Sequence, residues 1–144
     1  MNKKSIKTRY LFLLLSFIFP IICLSQKNEN CKIEKIIVKH VGFYNHYTTV
    51  DVPCHDFEKA FNHCTDFKVH EIKDSLAIKN FLKLLCNLEL RDSTIYPNID
   101  TRAKIELCSQ KDTLVVCLNQ FLTIKDGVKY KTSEALRDFI ENMK

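Results

Sequence analysis

The stretch AKIELCSQKDTLVVCLNQFLTIKDGVKYK, residues 103–131, decides the fold. Its first five residues alternate apolar and charged side chains, and this two-residue period is typical of a half-buried β-strand. The run LVVCLN, residues 114–119, again places apolar side chains on one face, after a polar turn at 109–113. The two runs therefore predict an antiparallel hairpin.

A second hairpin is predicted in the last eleven residues of the stretch, FLTIKDGVKYK. Asp126 and Gly127 stand between two strand-like runs, and such a pair is typical of a two-residue turn in which both residues take positive φ. The whole stretch thus predicts four consecutive strands. This order excludes a regularly wound parallel sheet, in which strands and helices alternate.

Upstream, two segments rich in β-branched residues, 33–41 and 46–52, predict the strands of an N-terminal hairpin that ends at Pro53. Residues 67–73 predict one further strand. All these strands belong to one mainly antiparallel sheet in our prediction.

Three helices are predicted from the spacing of apolar residues. The first covers 57–64, the second runs from the N-cap Ser75 to about residue 89, and the third follows the N-cap Ser133. The predicted order is β β α β α β β β β α. This order indicates a single compact α+β domain whose helices pack on one face of the sheet.

Residues 1–25 have the layout of a secretory signal peptide, with a basic start, an apolar stretch at 10–24 and the small residue Ser25. We expect cleavage after Ser25 and a single domain at 26–144. The apolar stretch contains Pro20 and is shorter than the roughly eighteen residues of a membrane-spanning helix. The sequence therefore predicts an exported bacterial protein, periplasmic or secreted, without stable membrane insertion.

The charge of the chain changes when the signal is set aside. The full sequence has 22 Lys and Arg against 17 Asp and Glu, and four of the basic residues lie in the signal. The remaining 18 nearly balance the acidic residues. A nearly neutral domain does not indicate nucleic acid or an anionic membrane as its partner, so we expect a protein or a small ligand.

Six cysteines remain after the signal, and an even number in an exported protein favours disulfides. We expect Cys108 to pair with Cys117, because alternation places both on the outer face of adjacent strands. The second predicted pair joins Cys64 and Cys86 on two packed helices. By elimination the third joins Cys31 and Cys54, and the alternative to all three is a set of small buried thiols.

The run CHDFEKAFNHC, residues 54–64, has cysteine and histidine at both ends. On a helix, His55 and His63 lie roughly 12 Å apart along the axis, too far to bind one ion. The same distance argues against a disulfide between Cys54 and Cys64. We therefore interpret the mirrored pattern as accidental.

A metal site built by the fold is the alternative, because all five histidines fall within 31 residues and cysteine supplies soft ligands. No pair has the spacing typical of a zinc site, so we expect no cofactor, and zinc or copper only under this alternative. The candidate ligands are His40, His46, His55, His63 and His70.

The segment RDSTIYPNIDTR, residues 91–102, is predicted to be a loop, and loops often carry binding groups. The alternative is a solvated loop with local ion pairs. The binding-loop candidates are Arg91, Asp92, Tyr96, Asp100 and Arg102.

No nucleophile, metalloprotease or phosphate-binding motif occurs in the sequence. We therefore expect a non-catalytic binding or interaction module. One alternative is a metal-handling envelope protein that uses His and Cys ligands. The second is a small hydrolase or thiol enzyme, which needs a cleft with Cys or an acidic residue beside His.

Overall fold

Residues 103–131 form four neighbouring strands of a six-stranded antiparallel sheet. The computed structural model describes residues 32–44, 51–91 and 99–143, and the signal peptide expected at 1–25 lies outside them. The strands are β1 Ile33–His40, β2 Lys68–Ile72, β3 Ala103–Ser109, β4 Thr113–Leu118, β5 Leu122–Lys125 and β6 Val128–Lys131. A short 3-10 helix at Cys54–Asp56 precedes α1 Phe57–Phe61, and the longer helices are α2 Ser75–Cys86 and α3 Glu134–Glu141.

Both hairpins of the 103–131 stretch are confirmed. Ile105 lies opposite Val116 across β3 and β4, and the Ser109 hydroxyl closes the turn by accepting a hydrogen bond from the Asp112 amide at 3.0 Å. Between β5 and β6, Asp126 has φ 52° and Gly127 has φ 75°, as the turn prediction requires.

The strand order is β2-β1-β3-β4-β5-β6, which contradicts the predicted N-terminal hairpin. Strand β1 pairs with β2 on one edge and with β3 on the other, so no edge is left for residues 46–52. Of that segment, residues 46–50 lie outside the described part, and Asp51 and Val52 are not in a strand. The β-branched composition of β1 indicated a strand but did not specify its partner.

One face of the sheet carries the main hydrophobic core, against which α2 and α3 pack. The rings of Phe81 and Phe139 meet edge to face at 5.2 Å between centroids. Ser133 is confirmed as the N-cap of α3, but α2 is capped by Asp74 and not by Ser75. The completely buried members of this core are Ile36, Val38, Phe81, Ala103, Ile105, Val116, Leu118, Leu136 and Ile140.

The prediction that all helices pack on one face is not confirmed. Glu58 of α1 hydrogen-bonds Lys39 and Lys104, which alternate with the core residues Val38 and Ile105 and therefore point to the other face. A second, smaller hydrophobic cluster accompanies α1, and its buried residues are Val41, Val52, Phe57 and Phe61.

The coarser prediction, one α+β domain with an antiparallel sheet, agrees with the structure. The residues from Lys32 onward form one compact unit. Across residues 32–44, 51–91 and 99–143, none of the helices is long and apolar enough to cross a membrane.

Candidate functional site

The edge of the sheet at β6 is covered by the residues that follow α2. The Lys131 amide donates to the Glu89 carbonyl at 2.8 Å, and the Arg91 amide donates to the Lys129 carbonyl at 3.1 Å. Leu90 pairs with Tyr130 in an isolated bridge between these two bonds. The covering segment prevents the β6 edge from pairing with a strand of another chain. The Leu90 side chain itself is 71% exposed.

The turn between β4 and β5 places a second apolar side chain at the surface. The Asn119 side-chain oxygen accepts hydrogen bonds from the amides of Phe121 and Leu122, at 2.9 and 2.8 Å. This tight turn buries Leu122 and leaves Phe121 54% exposed at the tip.

Two arginines bind consecutive carbonyls of this turn. Arg91 donates through Nη1 to the Phe121 carbonyl at 2.7 Å, and Arg137 of α3 donates through Nη1 to the Gln120 carbonyl at 3.4 Å. The same Arg137 atom donates to the Tyr44 hydroxyl at 3.0 Å, and its guanidinium carbon lies 5.9 Å from the centroid of the Tyr44 ring. Tyr44 is 63% exposed.

These contacts link Tyr44, Arg137, the β4–β5 turn and Arg91, and Leu90 precedes Arg91 in the chain. We call the following five residues the arginine–aromatic surface: Tyr44, Leu90, Arg91, Phe121 and Arg137. Aromatic residues and arginine are enriched in protein interfaces, and they often supply most of the binding energy there. Tyr44, Leu90 and Phe121 are each more than half exposed, which makes this part of the surface a candidate for binding.

The predicted binding loop contributes only Arg91 to this surface. Asp92 and Tyr96 lie outside the described residues. Asp100 and Arg102 form an ion pair at another place, where Asp100 also accepts a hydrogen bond from the Val52 amide at 3.2 Å. Arg102 is buried and its guanidinium lies over the Phe61 ring. The ion pair therefore links residues 100–102 to α1.

Four residues of the surface were missed by the sequence analysis: Tyr44, Leu90, Phe121 and Arg137. Phe121 carried a signal, because a large aromatic residue directly before a strand and after the polar Asn119 and Gln120 has no core position. Tyr44 follows β1, Leu90 follows α2 and Arg137 lies on α3, and no local sequence pattern distinguishes these three residues. Only the fold brings them together.

A cluster of four charged residues occupies the sheet face under α1. Lys39 and Lys104 lie directly opposite each other on β1 and β3, and Glu58 accepts hydrogen bonds from both, at 2.9 and 2.8 Å. Lys39 also donates to Glu106 at 2.6 Å. Each charged side chain of the cluster lies beside one of opposite charge. The cluster therefore stabilises the packing of α1 on the sheet and has no unpaired charge for a ligand.

The ion pairs of this cluster shift two pKa values. Partial burial raises the pKa of Glu58, but hydrogen bonds from Lys104 and Lys39 outweigh that effect and lower the pKa to about 2. Partial burial lowers the pKa of Lys39, but hydrogen bonds to Glu106 and Glu58 outweigh it and raise the pKa above its ordinary value. Both groups are therefore charged at neutral pH.

A disulfide joins Cys54 and Cys117, whose Cα atoms lie 5.8 Å apart. It connects the 3-10 helix before α1 to β4, on the same face as the ionic cluster. The prediction that a disulfide is present is confirmed, and this bond is consistent with an oxidising compartment.

The predicted pairings of Cys117 and Cys54 are wrong. The turn sets Cys108 opposite Thr113 and Cys117 opposite Lys104, so the two thiols do not meet across the hairpin. Because Cys54 bonds Cys117, it is not available to Cys31, which lies outside the described residues. Cys64 and Cys108 carry free thiols, so the predicted bridge between Cys64 and Cys86 is also absent from the structure.

Two of the histidines stack on each other. The rings of His40 and His70 lie 5.3 Å apart between centroids, and His40 is only 3% exposed. Burial, together with the nearby His70 and Lys68, lowers the pKa of His40 to about 4. His40 is therefore neutral at physiological pH.

The remaining histidines are dispersed. His55 contacts Asp56 at 3.3 Å and His63 contacts Asn62 at 3.4 Å, both at the surface, and His46 lies outside the described residues. Within the described part of the chain, no three His, Cys, Asp or Glu side chains come close enough together to hold a metal ion. No side chain of the described residues forms a hydrogen bond with either ring nitrogen of His40.

Comparison of the chain with protein-family models, with curated proteins and with solved structures gives no match. Its function is therefore to be sought in three features of its own structure: the arginine–aromatic surface, the ionic cluster and the histidine pair. The cluster is internally satisfied and the histidine pair is buried. The arginine–aromatic surface is the feature that faces outward with uncovered apolar groups.

Proposed function

We propose that this protein is an exported, non-catalytic binding module that holds a protein segment on the arginine–aromatic surface. The observation that carries the proposal is the joint exposure of Tyr44, Leu90 and Phe121 around two guanidinium groups fixed to one turn. Burying such side chains against a partner is favourable by about 25 cal/mol for each Å² of apolar surface removed from water.

The two arginines support the proposal because they are already ordered. Arg91 and Arg137 are each anchored to a backbone carbonyl of the β4–β5 turn. A long side chain that is fixed before binding loses less conformational entropy when a partner arrives. The surface is thus pre-organised for recognition.

The size of the surface favours a short segment over a folded partner. A stable interface between two folded proteins uses about 20–30 residues on each side, whereas five residues define this surface. Strand addition is not the expected mode here, since residues 89–91 already cover β6. We therefore expect side chains of a partner segment to dock between Phe121, Leu90 and Tyr44.

Export is supported by the signal-like sequence at 1–25 and by the Cys54–Cys117 disulfide. The partner would then be another protein of the envelope or the cell exterior. Neither support depends on the arginine–aromatic surface, so localisation and binding are separate parts of the proposal.

The proposal is tested by selecting binders from a random twelve-residue peptide library on the purified protein. The selected peptides are then measured by fluorescence anisotropy against the variants Phe121→Ala and Leu90→Ala. We expect micromolar binding to the original protein and a loss of about 10-fold or more in each variant, the size of effect typical of an interface anchor.

The matched control is Val69→Ala, which removes a comparably exposed apolar side chain from β2, at the opposite edge of the sheet. We expect this variant to bind the peptides with unchanged affinity. Failure to enrich any peptide, or equal affinity for the original protein and Phe121→Ala, would overturn the proposal.

A further inference from the structure

We infer that the stacked pair of His40 and His70 is an acid-sensitive switch: β2 stays paired with β1 while the two rings are neutral and is released when acid protonates them. The inference goes beyond the proposed binding function and does not depend on the arginine–aromatic surface. It begins from the place of the two histidines in the strand register.

The histidine pair lies where β1 ends and β2 begins. Lys68, the first residue of β2, is directly opposite His40, the last residue of β1, and His70 follows two residues later on the same face. The two imidazole rings lie 5.3 Å apart between centroids, with 24° between their planes. Three basic side chains therefore share one face of the β1–β2 ladder.

His40 is buried in surroundings that do not stabilise a positive charge. It is only 3% exposed, and no side chain of the described residues forms a hydrogen bond with its ring nitrogens or with Nε2 of His70. Among the groups in the described part of the chain that act on the His40 ring, only the backbone of Val41 favours the charged form. A proton on His40 therefore creates a buried cation beside other basic groups, which is unfavourable.

The elements packed around His40 do not compensate this charge within the described residues. On β3 the opposite residue is Ala103, which does not titrate, and neither α2 nor α3 contributes a charged group that acts on the ring. The charged groups that do act on it are His70 and Lys68 of β2, and both oppose its protonation. Glu71, next to His70 in the chain, alternates to the other face and forms ion pairs there.

Strand β2 is held more weakly than the rest of the sheet. In the described part of the chain it pairs only with β1, and none of its five residues is buried. Strand β1, by contrast, also pairs with β3 and contributes Ile36 and Val38 to the main core. Segments with few buried apolar contacts open at a lower free energy than the core does. Release of β2 removes His70 from the His40 ring, so protonation favours this local opening and makes β1 the new edge of the sheet.

The pH range of the switch follows from the pKa of His40 in the two states. Burial, His70 and Lys68 lower this pKa to about 4 in the closed state, whereas the opened segment has the ordinary value of 6.5. The open state therefore binds the proton first. The opening constant changes little above pH 6.5 and rises as the pH falls toward 4, by about 20-fold between pH 7 and pH 5.

Amide hydrogen exchange of the purified protein at pH 7 and pH 5, corrected for the intrinsic exchange rate at each pH, measures the opening. We expect the opening constant of the hydrogen-bonded amides in residues 68–72 to rise about 20-fold at pH 5. At both pH values it should exceed that of the β4 amides in residues 113–118 by about 10-fold or more. It should also depend less on added denaturant, because local opening exposes less surface than unfolding of the whole domain.

Two variants test the role of the basic side chains. His40→Leu removes the titrating ring, so the pH response of the β2 amides should fall below about 2-fold. Lys68→Gln keeps the ring and removes an exposed charge that lowers its pKa, so it should give a smaller response than the original protein. The controls are Lys79→Gln on α2 and the exposed His55→Asn, which should retain the full response. Thermal unfolding at pH 7 checks that each variant is folded.

Three results would overturn the inference. One is an opening constant of the β2 amides that is equal at pH 7 and pH 5. Another is a single opening constant and denaturant dependence shared by the β2 and β4 amides, since this indicates unfolding of the whole domain. The third is an NMR titration in which the His40 ring is protonated near pH 6.5 while the β2 amides stay protected.

Discussion

Arg137 donates a hydrogen bond to the hydroxyl of Tyr44 at 3.0 Å, across a sequence separation of 93 residues. This bond connects the C-terminal helix to the chain that leaves β1, and it fixes the orientation of the guanidinium on which the recognition proposal depends. A contact of this kind positions a binding group without being part of the hydrophobic core.

The Tyr44 hydroxyl is expected to position Arg137 with little effect on stability. Tyr44→Phe removes the hydroxyl and keeps the ring, so we expect the free energy of unfolding to fall by only about 0.5–1 kcal/mol, the net value of an exposed hydrogen bond. Denaturant unfolding of Tyr44→Phe, Arg137→Gln and the double variant measures the coupling. Strictly additive changes in the free energy of unfolding would contradict a hydrogen bond between Arg137 and Tyr44.

The Cys54–Cys117 disulfide is expected to contribute strongly to stability. It closes a loop of 63 residues, and the loop-entropy relation gives about 4 kcal/mol for a loop of that length. We expect the double variant Cys54→Ala and Cys117→Ala to lose a large part of this amount in urea unfolding. Cys108→Ala, which removes a free thiol, is the control.

Peptide mapping without reduction tests the pairing itself. It should recover the fragment containing Cys54 linked to the fragment containing Cys117. Recovery of a link between Cys108 and Cys117 would contradict the structure and restore the pairing expected from strand alternation.

Protonation of the Glu58 carboxylate is expected to make the protein less stable in acid. Its folded pKa of about 2 lies below the ordinary value of 4.5, so its contribution is complete above pH 4.5 and is lost as the pH falls toward 2. Because the Glu58 side chain is 32% exposed, we expect a contribution of only about 1–2 kcal/mol after solvent screening.

The variant Glu58→Gln should therefore be less stable at pH 7 and should lose less stability between pH 4.5 and 2. Glu89→Gln breaks the exposed pair with Lys131 and is the matched control, with an expected change below about 0.5 kcal/mol. Equal pH profiles for the original protein and Glu58→Gln would show that α1 is held by other contacts.

His40 is expected to change the stability of the protein in a higher pH range than Glu58. The cause is burial of the imidazole rather than an ion pair. Its folded pKa of about 4 lies below the ordinary 6.5, so the unfolded chain binds the proton first and stability falls as the pH drops from 6.5 to 4. The loss is at most about 3 kcal/mol. The groups near His40 are His70 and Lys68, both of which oppose its protonation when charged.

Stability curves of His40→Leu test this expectation, since the variant should show a smaller loss between pH 6.5 and 4. His55→Asn removes an exposed histidine and should leave the pH profile unchanged. A profile for His40→Leu that matches the original protein would mean that His40 does not govern this pH range.

The parts of the fold that were predictable from sequence are those set by local rules. Alternation in β3 and β4, the Asp126–Gly127 turn and the Ser133 cap each depend on residues that are close in the chain, and each is confirmed. The prediction of an N-terminal hairpin was wrong because the composition of a strand does not determine which neighbouring strand it pairs with.

The disulfide and the recognition surface could not be predicted for a related reason. Cys54 reaches Cys117 only because α1 packs on the second face of the sheet, which no local pattern indicates. Tyr44, Phe121 and Arg137 come from three distant segments, and their exposure is a result of tertiary packing. Arg91 was identified because it lies in a polar loop.

Two-dimensional amide NMR of the isotope-labelled protein, recorded with a peptide selected from the library, locates the binding surface. We expect the largest changes of amide chemical shift on the arginine–aromatic surface, at Tyr44, Leu90, Phe121 and Arg137. Shift changes centred instead on Val69 at the far edge of the sheet, or on the ionic cluster around Glu58, would contradict it.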